Sequence, residues 1–392
     1  MGYIRLKRGR EISPQRRHPW VFTGAVAEIK GNIASGDIVR VLDADGNFLA
    51  WGHFSAHSRI KLRLLEWQEK NRVDDDWWWN NLALAIKRRH ALIASPGINA
   101  YRLVYAESDL LPGLIVDRYA DYLVLQALTP GVDRLKHMLA RQLMELIQPK
   151  GIFERSDAQV RQLEGLDFCS GVLAGEAPPA LVFIREGGYS FMVDVAAGQK
   201  TGFYLDQREN RQLIAGYAEG RNVLDCFSYS GCFAVYVMGS KARGVTCLDS
   251  SDSALALAER NLTLNNLTAS FVKDNAFKVL REYRDRGQCF DMIILDPPKL
   301  APTKSHAQKA ARAYKDLNLL ALKLLAPAGI LATFSCSAGI DVVLFRKIVF
   351  AAAQDAGREV QILKQLSQAS DHPVRLSFPE SEYLKGLVLQ LL

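Results

Sequence analysis

The chain has 392 residues, 49% hydrophobic and 23% charged, a composition that suits two or three domains with separate cores and argues against a single one. No run approaches the roughly 18 uninterrupted apolar residues of a membrane span, and the opening MGYIRLKRGR lacks a secretory leader's apolar core, so a soluble, cytoplasmic protein is expected. Net charge is +7, and six cysteines without a C-x-x-C pair or histidines at zinc spacing disfavour disulfides and a structural metal.

Residues 1–72 read as a compact, mostly β module: WVFTGAVAEI, GDIVRVLDADGNFLAWGHFS and RIKLRLLEW are strand-like, with DADGN as a hairpin turn. Residues 1–65 hold eleven Lys and Arg against five Asp and Glu, a surplus of six that accounts for nearly all of the net charge. A positive module on a near-neutral remainder points to a polyanion, with nucleic acid the first candidate. A boundary is expected near Val73, followed by a helix in DDDWWWNNLALAIKRRHALIA that Asp74 to Asp76 can cap. Residues 73–188 mix the strands YRLVYAES, LPGLIVDRY and YLVLQAL with the amphipathic helix VDRLKHMLARQLMELI, which predicts an α+β domain. From 189 to 392 strands alternate with helices, the pattern of a mostly parallel, Rossmann-like sheet covered on both faces. The whole is a multidomain α/β protein.

Open parallel sheets bind ligands beyond the carboxyl ends of their strands. The first such end, LDCFSYSGCF, carries Asp225, Phe227, Ser228 and Gly231. It lacks the glycines that let a backbone approach a pyrophosphate, which disfavours a nicotinamide cofactor. Asp225 suits an ammonium and Ser228 a carboxylate. Asp249 ends the second strand, where an acid accepts ribose hydroxyls. The third end, KDNAF, offers Asp274 to an adenine amine, beside Asn275 and Ala276. Each acid alone is as well explained as a cap or a solvated loop residue. Three at consecutive strand ends outline adenosine with an amino-acid tail, which is S-adenosylmethionine.

The fourth end is LDPPK, whose prolines hold an extended turn that projects Asp296. Enzymes that methylate exocyclic amines usually place an aromatic residue at its fourth position; here it is Lys299. The fifth, TFSCS, delivers Cys336 to the same rim, flanked by Ser335 and Ser337. C5 of cytosine is a poor nucleophile until something adds at C6, and a thiolate can do so. Asp296 can hold the N3 and N4 edge of the base. A structural cysteine at the strand's end is the plain alternative.

These motifs extend end to end. RRHPWVFTGAV, AESDLLPGLIVDRY, GQKTGFYLDQREN, LDCFSYSGCFAV, LDPPK, YKDLN, TFSCS and DHPV closely resemble the RlmI-type 23S ribosomal RNA cytosine-5 methyltransferases. The resemblance implies an N-terminal PUA domain, a central α+β domain and a C-terminal class I methyltransferase domain. It implies S-adenosylmethionine as cofactor, S-adenosylhomocysteine as product, and no metal. Cys336 then becomes the nucleophile, and Lys200, Tyr204 and Arg208 are candidates for wrapping the cofactor, although core packing also explains Tyr204. Arg16, Arg17 and Trp20 become candidates for RNA contact, with Lys299 at the rim, and Trp20 equally suits a core. The expected partner is 23S RNA, protein-free or partly assembled, because the base must be unstacked to be reached. A homodimer is not readable from the sequence. Two rivals stay open: an RNA or protein N-methyltransferase in which Cys336 is idle, and a non-catalytic RNA-binding assembly factor with a vestigial methyltransferase domain.

Overall fold

A computed structural model describes residues 2–93, 97–300 and 307–392. The chain divides into two compact units. The first holds residues 1–186, 193–205 and 371–381, and the second holds 187–192, 206–370 and 382–392.

In the first unit, six strands between Tyr3 and Glu66 form one sheet, in which all pairs are antiparallel except Tyr3–Leu6 with Ile38–Leu42. DADGN makes the expected turn because the Asp43 carboxylate accepts from the backbone N–H of Asp45 (2.9 Å) and of Asn47 (2.8 Å). Asp74 caps the helix Asp75–Arg88 through the N–H of Trp77 (3.0 Å). The last residue read into that helical segment, Ala94, lies outside the described residues. A second sheet of five strands, from Ala100–Tyr105 to Cys169–Gly175, packs its apolar face against this helix and the helix Pro130–Ile147. A buried ion pair and a hydrogen bond connect the two sheets' surroundings: Arg63 grips Glu164 at 2.7 and 3.1 Å, and the Trp20 indole N–H donates to buried Glu107 at 2.8 Å.

The second unit is built on seven strands, labelled here β1 (Asn222–Cys226), β2 (Gly244–Asp249), β3 (Ser270–Lys273), β4 (Phe290–Leu295), β5 (Leu325–Ser335), β6 (Val360–Leu366) and β7 (Lys385–Leu391). Their order in the sheet is β3-β2-β1-β4-β5-β7-β6. All neighbours are parallel up to β5, and β7 runs antiparallel to both β5 and β6. The central strands read as unbroken apolar runs because helices cover both faces. Those helices are α1 (Arg208–Ala215), α2 (Cys232–Gly239), α3 (Asp252–Leu264), α4 (Ala276–Asp285), α5 (Ala307–Leu324) and α6 (Val342–Ala356). The core under α4, α5 and α6 holds Leu224, Ile293, Leu331, Tyr314 and Phe345, none more than 1% exposed.

Leu331 sits in the middle of β5, between β4 and β7, with no exposed surface. Leu331→Ala should lower unfolding free energy by about 2–5 kcal/mol, because neighbouring strands restrict collapse around the missing side chain. Chemical denaturation of the full chain, followed by circular dichroism and compared with wild type, measures the shift.

Candidate active site

The parallel register lines up the carboxyl ends of β1, β2, β4 and β5. Cys226 pairs with both Leu248 and Leu295, and Leu295 pairs with Thr333. Asp225, Asp249, Asp296 and Cys336 therefore share one rim of the sheet. The turn after β1 is tightly coiled: Phe227 and Tyr229 have φ of 62° and 46°, and Gly231 follows at 71°. Gly231 precedes α2, and a Cβ there would lie 2.8 Å from the Cβ of Ala258 on α3. Glycine is thus required twice over, by its backbone angle and by the approach of α3.

Asp225 is 1% exposed, and its Oδ2 has no hydrogen-bond partner among the described residues. Burial pushes its pKa well above the ordinary carboxylate range, and the charges of Asp296 and then Asp249 push it further, against the opposing N–H of Ala234. Asp249 is tied down by backbone donors, accepting from Tyr229 (2.9 Å) and Ser251 (3.0 Å), while Ser251 caps α3. Ser228 is buried beside the Cys247 thiol.

Asp274 and Asn275 have local partners. Asp274 pairs with Lys278 at 2.6 Å across one turn of helix, and the Asn275 side chain caps α4 through the N–H groups of Phe277 and Lys278. Ala276 is buried as the first residue of α4. Arg208 opens α1 and is buried. Lys200 and Tyr204 belong to the first unit, where the Lys200 ammonium lies 4.3 Å from the Tyr204 ring centre and the Tyr204 hydroxyl donates to Gln199 at 2.5 Å. Trp20 is half-buried, edge-on to Phe378 at 4.7 Å, whereas Arg16 is exposed and the Arg17 guanidinium covers the Trp67 ring at 5.1 Å. Lys299 is exposed.

The structure adds three residues that the sequence reading did not single out. Gln207, before α1, donates to Asp296 Oδ2 at 2.9 Å and so orients that carboxylate. Tyr314 of α5, buried within YKDLN, shares a 2.9 Å hydrogen bond with the Ser337 hydroxyl. Lys385, the first residue of β7, is 5% exposed and donates to the carbonyls of Ser337 (2.9 Å) and Tyr383 (2.6 Å). The only sequence signal for Lys385 is a lysine opening the apolar run GLVLQLL.

The donor set fits S-adenosylmethionine, because a buried carboxylate with one oxygen unpaired among the described residues, amid two further acids, favours a cation, and the ligand carries both an ammonium and a sulfonium. Comparison with known proteins decides the family. Residues 159–367 match the model of the S-adenosylmethionine-dependent methyltransferases, and residues 4–67 match that of a PUA-like domain. The chain belongs to the S-adenosylmethionine-dependent methyltransferases. Among its relatives are the "Ribosomal RNA large subunit methyltransferase I" proteins of Aeromonas hydrophila and Tolumonas auensis, each 48% identical over 391 residues, 99% of this chain and 98% of the relative. A solved structure from Streptococcus mutans, assigned as a SAM-dependent methyltransferase, superposes with a TM-score of 0.85 at 21% identity, covering 100% of both chains. The SMU.776 chain, solved with SAH, superposes at 0.87 with 22% identity and the same full coverage. These two share the fold, a class I methyltransferase sheet that follows an N-terminal PUA-like domain in the chain. No helix among the described residues is long and apolar enough to cross a membrane, and no three His, Cys, Asp or Glu side chains among them gather as a metal site.

Asp225→Asn keeps the shape of the site and removes the charge. Affinity for S-adenosylmethionine should fall at least about tenfold in titration calorimetry, the range of a lost hydrogen bond to a charged group. Because the folded state raises the pKa of Asp225, it binds that proton more tightly than the unfolded chain does. Stability of the ligand-free protein therefore declines as pH rises from the ordinary carboxylate range towards the raised value. The Asn variant should lack this part of the pH dependence.

Proposed function

We propose that this methyltransferase transfers a methyl group to C5 of a cytosine in 23S ribosomal RNA, with Cys336 as nucleophile. The observation that carries the reading is the placement of Cys336: it follows the last residue of β5, half-buried, on the rim that also bears Asp296, with the Lys385 ammonium bonded to the carbonyl of the next residue, Ser337. The relatives' printed names, which specify large-subunit ribosomal RNA, support the substrate class.

Bound S-adenosylmethionine supplies a methyl group activated by its positively charged sulfur. The chain's own groups do the rest. The thiolate Sγ of Cys336 adds to C6, and the electrons of the C5–C6 double bond become available at C5, which takes the methyl group. Removal of the C5 proton then re-forms the double bond and expels Sγ as thiolate, so the enzyme ends as it began. Asp296, steadied by Gln207, holds the N3 and N4 edge of the base and offsets charge that develops in the ring during addition. Lys200, Tyr204, Arg208, Asp225, Phe227, Ser228, Gly231, Asp249, Asp274, Asn275 and Ala276 serve the cofactor on this reading. For Asp274, the adenine amine would have to share or displace the Lys278 pair. A cytosine stacked inside a folded subunit cannot reach a thiol at the end of a strand, so protein-free or partly assembled RNA is the expected substrate.

The PUA-like domain and its positive surplus supply the electrostatic contact. Arg16 is exposed and available to phosphate. Trp20 is committed to Glu107 and Phe378, which makes it a brace for this surface more than a stacking platform.

Cys336→Ala should abolish methyl transfer to unmodified 23S RNA while S-adenosylmethionine still binds. A transcript carrying 5-fluorocytosine should trap the wild-type protein covalently, because fluorine at C5 cannot leave as a proton does. Retained activity in the alanine variant would establish an amine methyltransferase instead. Arg16→Glu should weaken RNA binding and lower the slope of log affinity against log salt by about one or more, leaving turnover at saturating RNA unchanged. Filter binding across a salt series reads that slope.

A further inference from the structure

The antiparallel strand β7 has a chemical consequence at the β5 terminus. In its register with β5, Lys385 stands opposite Ser335, the residue before Cys336. The Lys385 side chain is enclosed, and its ammonium donates to the carbonyl of Ser337, the residue after Cys336, and to that of Tyr383. A lysine ammonium has three donors, and these two carbonyls use two of them. The cation is therefore fixed between the backbone just after the thiol and that of Tyr383. Removing an ammonium from water is costly unless an anion or full hydrogen bonding compensates.

We propose that Lys385 is a positioning residue that holds the Cys336 sulfur in its thiolate form, a role that rests on the cysteine chemistry proposed above. The proton leaves Sγ for solvent, and the negative charge left on sulfur is matched by an ammonium already in place. With two of its donors held by carbonyls, the ammonium keeps a third for that sulfur.

The surrounding charges agree with this assignment. Burial lowers the Lys385 pKa to about 8, and Lys299 lowers it too, while Cys336 is the foremost negative group acting against them, followed by Glu382 and Asp341. Near neutral pH Lys385 is still a cation, and the thiolate it stabilises reinforces that charge. From α5, Tyr314 reaches the residue after the thiol; burial raises its pKa, so it remains a neutral hydroxyl bonded to Ser337. Cys336 thus lies within reach of the Lys385 charge, whereas the buried thiols Cys226 and Cys247 are pushed well above the ordinary range by burial and by Asp225.

The test reads the thiol itself. The full chain is alkylated with iodoacetamide from about pH 6 to about pH 10, and each cysteine peptide is quantified by mass spectrometry, with exposed Cys289 as internal reference. In wild type the rate profile of Cys336 should have its midpoint below that of Cys289. In Lys385→Met the midpoint should rise by about one unit or more, so that alkylation at pH 7 slows roughly tenfold. Equal midpoints for Cys336 in the two proteins would overturn the proposal. So would a wild-type Cys336 midpoint at or above that of Cys289, a result independent of whether the methionine variant folds. Alkylation needs neither methyl donor nor RNA, so the two readings fail separately. Successful fluorocytosine trapping with an unchanged profile removes Lys385's role alone, and a shifted profile without trapping removes the methyl-transfer chemistry while leaving the Lys385–Cys336 pair.

Discussion

Parallel strand pairing between β1, β4 and β5 is the constraint on which the site depends. A parallel ladder sends every strand out of the sheet at the same edge, so residues far apart in sequence become neighbours wherever the apolar runs stop. Asp225, Asp296 and Cys336 span more than a hundred residues of chain and still meet at one rim. The packing beneath that rim is dry and continuous, with Leu224, Ile293 and Leu331 inaccessible to solvent. Rigid strands hold the functional side chains more firmly than loops could.

The rim is electrostatically unfavourable in isolation. Three carboxylates converge, and one of them, Asp225, is buried with an oxygen left unsatisfied. A fold that needed only stability would place an apolar residue there. Repulsion of this kind becomes useful when a cationic ligand arrives, since binding relieves it. The neighbouring Asp249 avoids the same penalty by accepting two backbone N–H groups, one from the turn after β1. That bond also explains the left-handed angles at Phe227 and Tyr229: the turn is folded back over the end of β2, and Gly231 lets α2 begin against α3.

Much of this was legible in the sequence, for a physical reason. Strands buried on both faces appear as unbroken apolar runs, and the polar residue that ends each run marks the rim, as Asp225, Asp249, Asp296 and Cys336 do. Local competition was less legible. Asp274 and Asn275 look like ligands in a string of letters, yet Lys278 stands one helical turn beyond Asp274, and an asparagine before a helix is also a natural cap. Trp20 within RRHPW suggested a stacking surface, and only the distant Glu107 and Phe378 show what holds it. Gln207 and Lys385 act through tertiary contacts with partners 89 and 48 residues away, which no periodicity encodes.

Lys385 also shows why the reversed strand matters. A parallel β7 would open at the opposite edge of the sheet and put its first residue far from Cys336. Because β7 runs back along β5, its first residue lies where β5 ends and joins the rim built by β1, β2, β4 and β5. On the proposed chemistry this supplies what a carboxylate-rich rim otherwise works against. Anions beside a thiol raise its pKa, whereas a buried cation on the far side of β5 from Asp225 and Asp296 lowers it. On that proposal the sheet order separates two electrostatic tasks, with acids over β1 and β2 for a cationic methyl donor and an ammonium beside β5 for an anionic sulfur.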